Sequence, residues 1–128
     1  MSALAILHVD DEPDIREVAA FSLELDPQIE LTTAESGEVA LELLEGGLRP
    51  DVILLDVMMP RLDGPGTLAR LRVLPGLEQT PVIFMTARVQ SGERDRYLEL
   101  GAVGVITKPF DPMTLAGQVR DILMGRPA

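Results

Sequence analysis

The sequence predicts an α/β fold, a doubly wound five-stranded parallel sheet of (βα)5 type, on three observations. Five short apolar runs alternate with five amphipathic stretches along 128 residues. Several of those runs are continuously apolar instead of alternating, which suits strands buried on both faces of a parallel sheet. The connections between them are short, and right-handed crossovers then put helices on both faces.

The first strand is expected over 4–9. A helix follows Pro13, a residue suited to a first helical turn, with Ile15, Val18, Ala19, Ser22 and Leu25 on one stripe, and Asp26-Pro27 stops it. The second strand is expected over 29–33. Ser36 then serves as an N-cap for a helix that carries Ala40, Leu41 and Leu44 and ends at Gly46-Gly47. The third strand spans 52–55, and its helix follows Gly64-Pro65 and buries Leu68 and Leu71. The fourth strand spans 82–85. The helix after it, from near Ser91 to Leu100, has the weakest apolar stripe and should be the least firmly packed. The fifth strand spans 103–106. Its helix opens after Asp111-Pro112 and presents Leu115, Ala116, Val119, Ile122 and Leu123. Residues 1–124 thus form one domain, followed by a short tail at 125–128.

Composition narrows the function classes. Hydrophobic residues make up 46% and charged residues 25%, the balance of a globular chain. Aromatics are only 3%, so aliphatic side chains and Met must fill the core. With no Cys, disulfides, zinc–thiolate sites and thiol chemistry are excluded. A formal charge of −10 argues against direct nucleic-acid binding, which needs a basic face. No run approaches the length of a membrane span and the start lacks a basic signal-peptide region, so the cytoplasm is the expected location.

Chemistry enters at the strand ends. In a parallel sheet all strand C-termini share one edge, where open α/β sheets bind ligands. Asp10-Asp11 follow the first strand, Asp56 the third and Thr86 the fourth, and Lys108 lies two residues past the fifth. Lys108 is the only lysine among eleven basic side chains, a compact ammonium in a chain that otherwise uses arginine. Each residue taken singly could be a helix cap or a solvated charge. Together, three crowded carboxylates repel one another unless a cation intervenes. All-oxygen ligands without His or Cys point to Mg²⁺, which keeps waters and leaves room for phosphoryl oxygens. Metal, ammonium and hydroxyl around a carboxylate nucleophile make a phosphoryl-transfer site.

The same residues resemble the receiver domain of bacterial two-component response regulators over essentially the whole chain. The resemblance rests on Ile6-Leu7-His8-Val9-Asp10-Asp11-Glu12, Asp51 to Pro60, Leu62-Asp63-Gly64, Pro81 to Ala87 and Thr107-Lys108-Pro109-Phe110, in order and at these spacings. It implies the flavodoxin-like strand order 2-1-3-4-5, which receivers exemplify, and a cis Lys108–Pro109 bond. It also implies that Asp56 is the phosphoacceptor and that Asp10, Asp11, Asp56 and the Met58 backbone carbonyl hold Mg²⁺. Thr86 would be the switch hydroxyl and Lys108 the phosphoryl contact. The donor would be a histidine kinase or histidine phosphotransfer protein, and the output a contact with a downstream protein, without enzymatic turnover of its own. Onward transfer within a phosphorelay is an alternative. A haloacid-dehalogenase-like phosphatase also uses Asp, Thr, Lys and Mg²⁺, but its nucleophile sits in a D-x-D motif on the first strand, where this chain reads Asp10-Asp11-Glu12. One position departs from the receiver pattern: Val105 stands where receivers usually carry Tyr or Phe. Coupling from Thr86 should then run through the fourth helix and the loop from Ala87 to Ser91. His8 is expected to be a core or sheet-edge residue with a satisfied ring, and Met58-Met59 to pack around the site.

Overall fold

The structure is a computed structural model that describes residues 3–87 and 92–125. Five strands form one parallel sheet in the order β2-β1-β3-β4-β5. They are β1 (Leu4–Val9), β2 (Ile29–Ala34), β3 (Val52–Asp56), β4 (Val82–Thr86) and β5 (Gly104–Thr107). Between and after them run α1 (Pro13–Glu24), α2 (Gly37–Glu45), α3 (Gly64–Leu71), α4 (Glu93–Glu99) and α5 (Leu115–Leu123). The order reverses between β1 and β3, whose register pairs Val9 with Leu55 and so brings the two acidic strand ends side by side.

Alternation along the strands divides the core into two layers. Leu7, Val9, Ile53, Leu55, Phe84 and Val105 face α2, α3 and α4, where Leu41, Leu44, Leu68, Leu71 and Tyr97 meet them. Ile6, Leu54, Ile83, Met85 and Ile106 face α1 and α5, against Ala19, Leu23, Leu115 and Val119. The central strands are buried throughout, which is why their sequences are unbroken apolar runs.

Most local expectations hold, with instructive shifts. Ser36 caps α2 by accepting a hydrogen bond from Val39 N at 3.0 Å. On α1 the buried stripe is Ala19, Ser22 and Leu23. Val18 and Leu25, expected on that stripe, are instead exposed together with Phe21. Strand three ends at Asp56, strand four at Thr86 and strand five at Thr107, so Lys108 is one residue beyond its strand, not two. The α4 start expected near Ser91 lies outside the described residues; the helix is described from Glu93, and Tyr97 is its one buried side chain. The tail expected at 125–128 is described only at Gly125.

Candidate functional site

Strand β1 delivers Asp10 to the sheet edge, fully buried, and β3 delivers Asp56 beside it, 2% exposed. Lys108 reaches back from the end of β5 across both. Its Nζ lies 3.2 Å from Asp10 Oδ2 and 3.2 Å from Asp56 Oδ1, with Glu12 Oε1 farther off at 3.9 Å. The Lys108–Pro109 bond is cis, as the resemblance implies. Two further contacts hold the acidic turn: Glu12 N donates to Asp10 Oδ1 at 2.9 Å, and Arg16 Nη1 donates to the Asp10 carbonyl at 2.7 Å. Lys108 N donates to the Thr86 carbonyl at 2.8 Å, which ties the ammonium's own backbone to the end of β4.

Asp10, Asp11, Glu12 and Asp56 each offer an oxygen within 4.8 Å of the others, a grouping able to hold a metal ion. Glu12 is an addition to the set expected from sequence. It sits at the N-cap of α1 but makes no capping bond with its side chain, so capping does not occupy it. Asp56 Oδ2 is buried and has no hydrogen-bond partner among the described residues. An orphaned carboxylate oxygen among other carboxylates fits a hard divalent cation, and the all-oxygen donor set fits Mg²⁺.

Electrostatics follow from burial. Loss of solvent, then the neighbouring Asp10 carboxylate, push the Asp56 carboxyl up to about 6, while Lys108 and the Met58 amide pull it down. For Lys108, burial alone would lower the ammonium's pKa. The Asp10 and Asp56 carboxylates outweigh burial and raise it. The ammonium thus stays charged between two carboxylates that would otherwise repel.

Thr86 is buried at the end of β4 and lines a cleft of about 270 Å³ with Val57, Met58, Ala87, Glu93 and Tyr97. Met58 is 77% exposed, so of the Met58-Met59 pair only Met59 packs inward. His8 departs from expectation as well. It is fully buried, but neither ring nitrogen has a partner among the described residues. Burial, chiefly, lowers its pKa to about 4, against the pull of Asp10, so the ring is neutral. Strand alternation sends it toward the α1/α5 layer, among apolar side chains.

Gly64 is a site residue whose role composition does not reveal. A Cβ there would lie 2.5 Å from the Asp56 carbonyl oxygen and 2.9 Å from Val57 Cα. Glycine lets the start of α3 press against the strand end that presents Asp56, and Gly64 N donates to the Val57 carbonyl at 2.9 Å. Its signal in sequence is the Leu62-Asp63-Gly64 stretch, which carries part of the receiver resemblance but does not disclose this backbone contact.

Comparison with known proteins agrees with this geometry. The family described as response regulator receiver domain matches residues 6–120. The chain is 35% identical over 94% of its length to the response regulator Rre1 of Synechocystis, and 41% identical over 92% to the transcriptional regulatory protein CpxR of Escherichia coli. It spans about half of each of those relatives, 52% and 48%. Among solved structures it resembles the chemotaxis protein CheY4 of Vibrio cholerae, with a TM-score of 0.85 and 30% identity over 95% of this chain and 99% of that one. These matches give no support to the haloacid-dehalogenase alternative. With its parallel 2-1-3-4-5 sheet and its acidic strand edge, the chain belongs to the receiver domains of two-component response regulators.

Proposed function

We propose that Asp56 is the phosphoacceptor of this receiver, and that Asp10, Asp11 and Asp56, with the Met58 backbone carbonyl, hold Mg²⁺. The observation that carries the reading is the Asp56 carboxylate itself: one oxygen on the only lysine, the other without a hydrogen-bond partner among the described residues, amid three further carboxylates. Bound Mg²⁺ would supply charge neutralisation at the carboxylates and at phosphoryl oxygens. The chain's own groups do the rest. Asp56 attacks the phosphorus of a phosphohistidine; the P–O bond forms as the P–N bond breaks, and the imidazole keeps the electron pair and takes up a proton. Lys108 neutralises the transferred group's oxygens, and Thr86 offers it a hydroxyl donor.

The donor is a histidine kinase or histidine phosphotransfer protein, and the cytoplasm is the working compartment. Among the described residues no helix is long and apolar enough to cross a membrane. The receiver, residues 1–124, signals to a downstream protein and is no turnover enzyme. The phosphoryl group adds about −1.5 to −2 charges at one strand end, enough to re-bias nearby loops.

Intact-mass analysis after incubation with acetyl phosphate tests the assignment. One phosphoryl group is expected in the presence of Mg²⁺, with little labelling under chelation and none on Asp56→Asn. Undiminished labelling of Asp56→Asn would remove Asp56 as the acceptor. Lys108→Arg is not expected to restore the response lost in Lys108→Ala, because a planar fork cannot replace an ammonium seated between two carboxylates.

A further inference from the structure

Helix α4 buries one side chain, an aromatic ring. It is only seven residues long, begins at Gly92 with φ +91° and has no side-chain cap. Helices this short draw their stability from packing, and Tyr97 is the sole buried side chain that α4 supplies. The Tyr97 ring meets the fully buried Phe84 edge-on, with centroids 5.2 Å apart and planes at 62°. Phe84 precedes Thr86 by two on β4 and so lies on the same face of the sheet. It pairs in register with Leu55, the residue before Asp56, on one side, and with Val105 on the other.

Above this contact the cleft of about 270 Å³ runs from Tyr97 to Thr86 and the Val57–Met58 turn after the acceptor strand. That is space for several water molecules at ~30 Å³ each, so Tyr97 and Thr86 line one common open volume. On β5 the facing position is Val105, buried and stiff at χ1. The aromatic surface beside the acceptor strand is therefore carried by a helix and not by β5. A change at Thr86 would reshape the cleft wall that Tyr97 shares, and among the described residues of α4 no second buried side chain anchors the helix.

We propose that Tyr97 is the positioning residue through which the phosphorylation state of Asp56 sets the placement of α4, its ring shifting in the cleft it shares with Thr86. Leu98 and Leu100, exposed on and just after α4, then move relative to the sheet and change the surface offered to a partner. The inference rests on the reading of Asp56 as acceptor.

The chain has one tyrosine and no tryptophan, so intrinsic tyrosine fluorescence reports on Tyr97 alone. The protein is treated with Mg²⁺ and acetyl phosphate, or with Mg²⁺ and beryllofluoride, and followed by tyrosine emission, iodide quenching and amide exchange, with intact mass recording the label. Labelled wild type should show altered emission and quenching and altered exchange across 92–100; Asp56→Asn should show neither. Tyr97→Leu should accept the phosphoryl group but lose the α4 exchange response, and Tyr97→Phe should retain it. A fully labelled wild type with unchanged tyrosine emission and quenching overturns the proposal without recourse to any variant, as does an undiminished α4 response in folded Tyr97→Leu. Absence of label in wild type defeats the acceptor reading, and this inference with it.

Discussion

Replacing Asp56 by Asn should stabilise the metal-free protein, and do so more strongly at high pH. The Asp56 carboxyl is raised from 3.8 to about 6, first by burial and then by the Asp10 charge. Its folded-state pKa lies above its unfolded one, so the associated stability is fully present below about 4 and is lost as pH rises through about 6. The shift of about two pH units, at ~1.36 kcal/mol each, sets a ceiling of about 3 kcal/mol. The acidic rim opens to solvent at Asp11 and at Glu12, whose side chain is 61% exposed. Screening there reduces the figure to ~1–2 kcal/mol. Asn removes the buried charge and leaves Lys108 its contact with Asp10. Urea unfolding under chelation, for wild type and Asp56→Asn, near pH 5 and near pH 8, reads the effect. With an m-value of ~1–3 kcal/mol/M, the variant's midpoint should exceed that of wild type by ~0.5–1 M near pH 8 and by distinctly less near pH 5. Saturating Mg²⁺ should narrow the gap near pH 8, because binding to the native wild type adds stability by mass action. An equal midpoint difference at both pH values, or a variant less stable near pH 8, would refute the electrostatic reasoning.

Other substitutions test other parts of the site and its support. Gly64→Ala places a Cβ against backbone atoms of Asp56 and Val57; it should cost ~1–3 kcal/mol and slow labelling by acetyl phosphate, and normal labelling at full stability would contradict this. His8→Leu should raise stability by ~1–2 kcal/mol at neutral pH, because it removes two buried ring nitrogens that lack partners among the described residues. Because the His8 pKa falls from 6.5 to about 4, the wild type loses stability as pH drops through that window, and the gain should grow near pH 5; thermal melts at the two pH values check both points. Arg72 donates to the carbonyls of Leu77, Thr80 and Gly101 and so ties two loops on the sheet edge opposite the site. Arg72→Met should cost ~2 kcal/mol in urea unfolding while Asp56 still accepts its label; loss of labelling in the folded variant would show that the two edges are coupled.

The sequence by itself determined the strand count, the parallel arrangement and the common edge of the chemically active residues. Strands buried on both faces must be written as continuous apolar runs, so Val52 to Leu55 and Val82 to Met85 betray themselves. Once five such runs alternate with helices, Asp10, Asp56, Thr86 and Lys108 have only one edge to occupy. Tertiary structure decided what depends on which helix presses on which strand. The exposure of Val18 and Leu25, apolar residues expected on the stripe that faces the sheet, depends on which side of α1 the sheet covers, and that side is Ala19, Ser22 and Leu23. His8 lost its expected partner because alternation turned it toward the largely apolar layer between the sheet and α1 and α5, where neither ring nitrogen finds a hydrogen bond among the described residues. The need for glycine at 64 arises from a close approach to the Asp56 carbonyl, a contact between segments that no local pattern encodes. Val105 read as a missing aromatic, whereas the fold brings Tyr97 from α4 onto Phe84 in that same neighbourhood. Periodicity reports whether a side chain is buried; what it meets there is set by long-range packing between elements far apart in the chain.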